Sequence, residues 1–351
     1  MSMAAPILPA NNSQLYYWRN PAPDDIAPTC MEFLHQLPGP THIFIEGQEK
    51  DRCRAVVTLM HGNEPSGLHA VFGVLREAIK PLVDIHIFIP SVDAAKQAPG
   101  FIYRMLPHQK DLNRCFKEPF GDSNEDKLAE ELLDNLKALN PECIIDIHNT
   151  SGSSPSFGVS TFMDDKHDAL VSLFTHRMIV TDLKLGALME ISESMIPTVT
   201  IECGGIEDSE SNPMALDGLI KFMTLNDVLS TKPSDMSLEF FHHPIRLELL
   251  EGSDIAYGTH SLVSDGVTLV PEIENHNFGF VDQDTLLGFV SGELKDNLTA
   301  CDTKGRERIT DYFRLQGDEL YPAQKLKLFM VTTNPEIARK DCLFYLVLAI
   351  D

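Results

Sequence analysis

Runs of β-branched and apolar residues alternate, over the first two-thirds of the chain, with stretches in which Leu, Val and Phe recur every three or four positions. The runs predict strands at His42–Gly47, Cys53–Met60, Asp84–Pro90, Glu142–His148, Phe157–Phe162 and Ile196–Gly204. Helical spacing appears after Pro65 (Leu68, Val71, Phe72, Leu75, Ile79) and over Asn124–Leu139, with further helices expected at Asp168–Met178 and Pro213–Leu229. The polar turn Gln48–Asp51 reads as a hairpin between the first two strands, and Ser91–Pro119 as a loop. Strands that alternate with helices indicate an α/β sheet covered on both faces. Beyond Leu229–Ser237 short alternating strands dominate, separated by Gly or Pro, so we expect a catalytic-size domain over residues 1–233 and a smaller β-rich domain over 234–351.

Composition narrows the function classes. The longest apolar run, Leu343–Ile350, has eight residues, whereas a membrane span needs about 20. The N-terminal residues lack the basic-then-apolar order of a secretory signal. Seven cysteines lie scattered with no Cys-x-x-Cys pair, which fits a reduced, cytoplasmic protein and leaves His and carboxylate as the ligands for any metal. A formal charge of −24 argues against nucleic acid. No Gly-x-Ser-x-Gly elbow, phosphate loop or dinucleotide fingerprint is present.

Candidate chemistry collects where parallel strands end, as ligands do in such sheets. The strand Cys53–Met60 leads to His61 and Glu64, Glu142–Ile147 leads to His148, and Pro197–Ile201 leads to Glu202. Two histidines and one glutamate can hold zinc with a position open to water, and a spare glutamate can take that water's proton. Each residue has a plainer reading: His61 as a structural histidine, Glu64 as a first-turn acid, Glu202 as a capping or paired carboxylate, Arg114 as a salt-bridge partner of Asp111 or of another acidic neighbour. Asp146, two residues before His148, is on the same side of its strand and can orient that ring. His242, His243 and His276 lack carboxylates at ligand spacing and read as loop or surface.

The segments "HGNE" (61–64), "DLNR" (111–114), "DIHNTSG" (146–152) and "IECGG" (201–205) resemble, in order and spacing, the succinylglutamate desuccinylase/aspartoacylase family of the zinc-carboxypeptidase-like fold. That resemblance implies a mixed sheet flanked by helices with a small C-terminal β domain, and one zinc per chain on His61, Glu64 and His148. It implies Glu202 as general base, Asn113 and Arg114 as the grip on a substrate carboxylate, and Arg104 as the group that polarises the scissile carbonyl. The expected activity is hydrolysis of the amide bond of a small carboxylate-bearing N-acyl amino acid. A zinc carboxypeptidase acting on short peptides and a non-turning-over binding protein of the same fold remain the alternatives, and a homo-oligomer is left open.

Overall fold

Which strands lie deep in the sheet follows from which are apolar on both faces. The computed structural model describes residues 8–9, 13–193, 196–230, 237–302 and 304–349. Among these, β1 (Leu8–Pro9), β2 (Tyr16–Arg19), β3 (Thr41–Ile45), β4 (Glu49–Thr58), β5 (Val83–Ile89), β6 (Ile144–Thr150), β7 (Phe157–Ser160), β8 (Arg177–Val180), β9 (Thr198–Gly205) and β10 (Glu239–His242) form one mixed sheet. Their order is β1-β2-β3-β5-β4-β6-β9-β7-β8-β10. Strand β5, buried at nearly every position, lies between β3 and β4, antiparallel to the first and parallel to the second. The hairpin expected across Gln48–Asp51 therefore does not form. That turn has no Asn-Gly or Gly pair to close a tight hairpin, and Glu49–Asp51 already belong to β4.

Helices α1 (Cys30–Gln36), α2 (Ser66–Arg76), α3 (Val92–Lys96), α4 (Asn124–Leu139), α5 (Asp165–Ser172) and α6 (Ser211–Thr224) complete this part of the chain. Val56, Ile85, Ile87, Ile145, Ile147, Val199 and Ile201 share one core with Leu68 and Val71 of α2, Leu170 of α5 and Leu219 of α6. Ala55, Val57, Phe88 and Ile144 share a second core with Leu128, Leu132 and Leu136 of α4. Two-residue alternation along each strand thus feeds both faces. The start of α4 is fixed by a capping box between Ser123 and Asp126. Helix α5 stops well before the expected Met178, because Arg177–Val180 pairs as β8 with β7 and β10; tertiary pairing of Met178 and the β-branched Ile179 and Val180 overrides the helical spacing.

The expected domain boundary near Pro233 lies outside the described residues. Strand β10, read from sequence with the β-rich part, still belongs to the large sheet. Two five-stranded sheets follow among the described residues, one containing Ile245–Leu249, Leu326–Phe329 and Phe344–Leu348, the other Asp254–Tyr257, Gly266–Leu269 and Glu319–Pro322. They enclose a core of their own around Leu247, Val267, Leu328 and Phe344. Phe329 and Tyr345 from this part pack with Phe157, Ile179 and Phe241 of the large sheet.

Arg54, fully buried in β4, ties the sheet to the end of α6. Its Nε donates to Glu142 Oε2 at 2.9 Å, and its terminal nitrogens donate to the carbonyls of Phe222, Leu225 and Asn226 at 2.5–2.9 Å. Phe222 lies in the last turn of the helix, whose carbonyls lack partners within it, and Leu225 and Asn226 follow directly. Arg54→Met is expected to cost about 1–3 kcal/mol, since it strands the buried Phe222 carbonyl and removes bonds to Leu225, Asn226 and Glu142. Denaturant unfolding checks this; a midpoint equal to wild type would refute it.

Candidate metal centre and its cleft

Strand alternation decides which side chains reach the site. Ile145, Ile147, Val199 and Ile201 enter the first core, so Asp146, His148, Thr200 and Glu202 project to the opposite face. His148 and Glu202 are direct cross-strand partners on β6 and β9. His61 and Glu64 occupy the turn that joins β4 to α2. Glycine is required at position 62: a Cβ there would lie 2.6 Å from both Ala95 N and Tyr103 O. Gly62 N donates to Arg104 O at 2.9 Å, which laces the loop carrying Arg104 to the turn.

The two imidazoles face the two oxygens of one carboxylate. His61 Nδ1 lies 2.8 Å from Glu64 Oε1, and His148 Nδ1 lies 2.6 Å from Glu64 Oε2. Each ring also meets a second carboxylate through Nε2. His61 Nε2 is 2.9 Å from Asp111 Oδ1, and His148 Nε2 is 2.8 Å from Asp146 Oδ2. The latter is a close charge contact, too oblique to be an aligned hydrogen bond. A neutral imidazole carries one N–H and cannot donate to two carboxylates. With three buried or half-buried carboxylates around two rings, lone pairs oppose one another unless the rings carry a second proton or a cation takes its place beside the Nδ1 atoms and Glu64. One donor atom from each of His61, Glu64 and His148 lies within 4.8 Å of the others. This donor set, with its rings oriented by carboxylates, fits zinc.

The electrostatics tell the same story. Burial pushes the Glu64 carboxyl up, but His61 and His148 outweigh it and hold the group well below the usual carboxylate range. Burial opposes a proton on His148, yet Asp146 and Glu64 prevail and raise it well above the ordinary imidazole value. Negative charge is thus concentrated around buried nitrogens, an arrangement that calls for a cation.

Glu202 lines the same cleft, and its Oε2 is buried without a hydrogen-bond partner. Burial, opposed by His148 and reinforced by Glu64, pushes its carboxyl up to about 7. Arg104 also reaches the site: one terminal nitrogen is 3.2 Å from Glu64 Oε1, and the other is 2.9 Å from Asp111 Oδ2. Arg114 does not pair with Asp111. Its guanidinium donates to the Asn113 carbonyl at 3.0 Å and stands 3.6 Å from Asp341 Oδ1. Asn113 lines the cleft, and its Oδ1 accepts from Leu188 N at 2.9 Å.

Two site residues, Asp341 and Tyr345, went unseen in the sequence, and the role of Asp111 was not assigned there. Asp111 joins His61 to Arg104, and its Oδ1 also accepts from Asn113 N at 2.9 Å. Asp341 and Tyr345 reach the cleft from the C-terminal part. Asp111 was legible in "DLNR" as an acid near arginines; nothing around Asp341 or Tyr345 marks them. The cleft encloses about 910 Å³, including its open mouth.

No family model and no curated protein matches the sequence. Solved structures do match the fold. The crystal structure of a succinylglutamate desuccinylase/aspartoacylase from Rhodobacter sphaeroides superposes with a TM-score of 0.53 at 13% identity, covering 88% of each chain. The chain has the fold of the succinylglutamate desuccinylase/aspartoacylase family. A putative member from Shewanella frigidimarina NCIMB 400 gives 0.52 at 12% identity, covering 88% of this chain and 92% of its own. Murine aminoacylase 3 gives 0.50 at 15% identity, with coverage of 86% and 96%. At such identities the likeness is one of fold, and the resemblance read from the four motifs is met at that level. Seven cysteines are free, five of them buried. Among the described residues no helix is long and apolar enough to cross a membrane.

Proposed function

We propose that this chain is a zinc-dependent hydrolase that deacylates N-acyl amino acids. The observation that carries the reading is the convergence of His61, Glu64 and His148 beside the unpartnered oxygen of Glu202, in a cleft that Arg114 also lines. Structural neighbours named desuccinylase, aspartoacylase and aminoacylase support it. Zinc on the three ligands would polarise a carbonyl and lower the pKa of a water to about 7. Glu202 takes the proton of the attacking water and returns it to the departing amine. Arg104, braced by Asp111, directs a donor at the carbonyl oxygen as charge builds there. Arg114 grips the substrate carboxylate through parallel N–H bonds, helped by Asn113. In this reading residues 1–233 are the zinc-carboxypeptidase-like catalytic domain and 234–351 the β-rich one, and the setting is the reducing cytoplasm, in keeping with the free thiols.

Metal analysis joined to an acid-release assay tests the proposal. Release from N-acyl amino acids, with short peptides untouched, is expected. Cleavage of peptides instead would make the chain a carboxypeptidase, and no turnover by zinc-loaded protein would make it a binder.

Arg114→Ala is expected to cost about 2–5 kcal/mol in binding or transition-state stabilisation, the range for truncating one partner of a buried charge pair. Arg114→Lys should also be harmful, since an ammonium cannot reproduce the planar fork. Comparing a substrate with its carboxyl-amidated analogue reads this directly. Wild type should discriminate strongly and Arg114→Ala hardly at all; equal discrimination would assign Arg114 a structural role.

A further inference from the structure

Beyond the metal ligands, the cleft divides into a charged end and an apolar end. Thr200 of β9 pairs with Val159 of β7, Val159 with Ile179 of β8, and Ile179 with Phe241 of β10. This rung lies two residues from Glu202, on the same face of the sheet, so Val159 and Ile179 form a floor that continues from the reacting centre. Leu183, Leu185 and Met189 line the cleft from the segment after β8, and Met330 lines it from the C-terminal part. Among the described lining residues the arginines are Arg104 and Arg114. Arg104 is held by Asp111 and Glu64. Arg114 commits one donor to a carbonyl, and its acidic neighbour Asp341 is bonded more closely by Arg246, at 2.7 Å. One guanidinium fork therefore remains for one carboxylate.

Among the described lining residues no further Lys or Arg is left for a second carboxylate, which would meet Val159, Ile179, the leucines and neutral hydroxyls such as that of Thr181, or the negative Asp341. Such a placement strips water from the charge with no cation to balance it. We propose, on the basis of the deacylase reading above, that the substrate is a monocarboxylate carrying a bulky apolar group that fills the Val159–Ile179 end of the cleft. That group is either the amino-acid side chain or the acyl chain; the two share one chemistry and differ in where it is attached.

The test measures kcat/KM for N-acetyl-leucine, N-acetyl-phenylalanine and N-octanoyl-glycine against N-acetyl-aspartate and N-succinyl-glutamate. At least one apolar arm should exceed both dicarboxylates by roughly 10²-fold or more, and the better arm says which side of the amide carries the apolar group. Calorimetric binding of the non-hydrolysable N-methylsulfonyl and N-octylsulfonyl analogues, which read the two attachments, separates this inference from the reading it rests on. Apolar preference in binding without turnover of any compound sinks the deacylase reading and keeps the pocket. Turnover with the dicarboxylates preferred keeps the deacylase and overturns the pocket. Leu183, only half-buried, supplies the variants: Leu183→Arg should shift the ratio toward dicarboxylates by about tenfold or more. Should that variant fail to fold, Leu183→Ala should lower kcat/KM for the preferred apolar arm alone, and an unchanged ratio in the variant that folds overturns the assignment.

Discussion

Replacing His148 with alanine is expected to take the protein from about one zinc per chain to almost none, and to abolish hydrolysis. The ring brings Nδ1 to 2.6 Å from Glu64 and is itself held by Asp146; without it two protein ligands remain, too few for the usual geometry. His61→Ala removes the other nitrogen and should behave alike. The orienting carboxylates supply a graded control. Losing such a partner typically costs about 10–100-fold in metal affinity, so Asp111→Asn and Asp146→Asn should weaken zinc by that much without emptying the site at saturating metal. Stability provides a readout independent of turnover. A ligand at 100 times its dissociation constant stabilises the folded state by about 2.7 kcal/mol, so a chelator should lower the melting temperature of wild type and leave that of His148→Ala unchanged. Elemental analysis after dialysis against fixed free zinc decides the matter; full occupancy in both alanine variants would refute the site.

What could be read from the sequence, and what could not, follows from the range of the interactions involved. His148 and Glu202 were legible because Ile145, Ile147, Val199 and Ile201 commit one strand face to the core. Period-two alternation then forces the polar residues between them to the other face. The turn at His61–Glu64 was legible for a similar local reason, a strand ending in Gly and Pro before a helical stripe. Position of β5 was not: sequence shows that Val83, Ile85, Ile87 and Ile89 make one apolar face, but not which strands it separates. The role of Asp111 was hidden because Ser91–Pro119 has no periodicity to orient a side chain, and a short turn closed by its own carboxylate sets the direction instead. Asp341, Tyr345 and Met330 arrive by packing of the C-terminal sheets against β7 and β8, a contact made across more than a hundred residues of chain. No local pattern encodes such a meeting.

Glu202→Gln is expected to keep zinc at about one per chain while lowering kcat by about 10²–10⁴-fold, the usual cost of losing a general base. Glutamine preserves the shape and the buried position of the side chain, so the packing of β9 against β6 and β7 should survive. It cannot accept a proton. Oε2 of Glu202 has no partner among the protein atoms, whereas a structural carboxylate at this depth would be bonded on each oxygen. That unfilled capacity speaks against the plainer reading of a paired acid and leaves an oxygen free for the proposed role. Glu202→Asp adds a second measure: it retains the proton acceptor but withdraws it by one methylene, so activity should fall between wild type and the glutamine variant. KM should change little in either, because in the proposed mechanism Glu202 acts on the proton and the grip on the substrate falls to Arg114. If zinc is lost along with activity, Glu202 is a ligand and Glu64 must be reconsidered. If the glutamine variant turns over at the wild-type rate, the proton acceptor is another group, and the convergence of His61, Glu64 and His148 beside Glu202 has a different purpose.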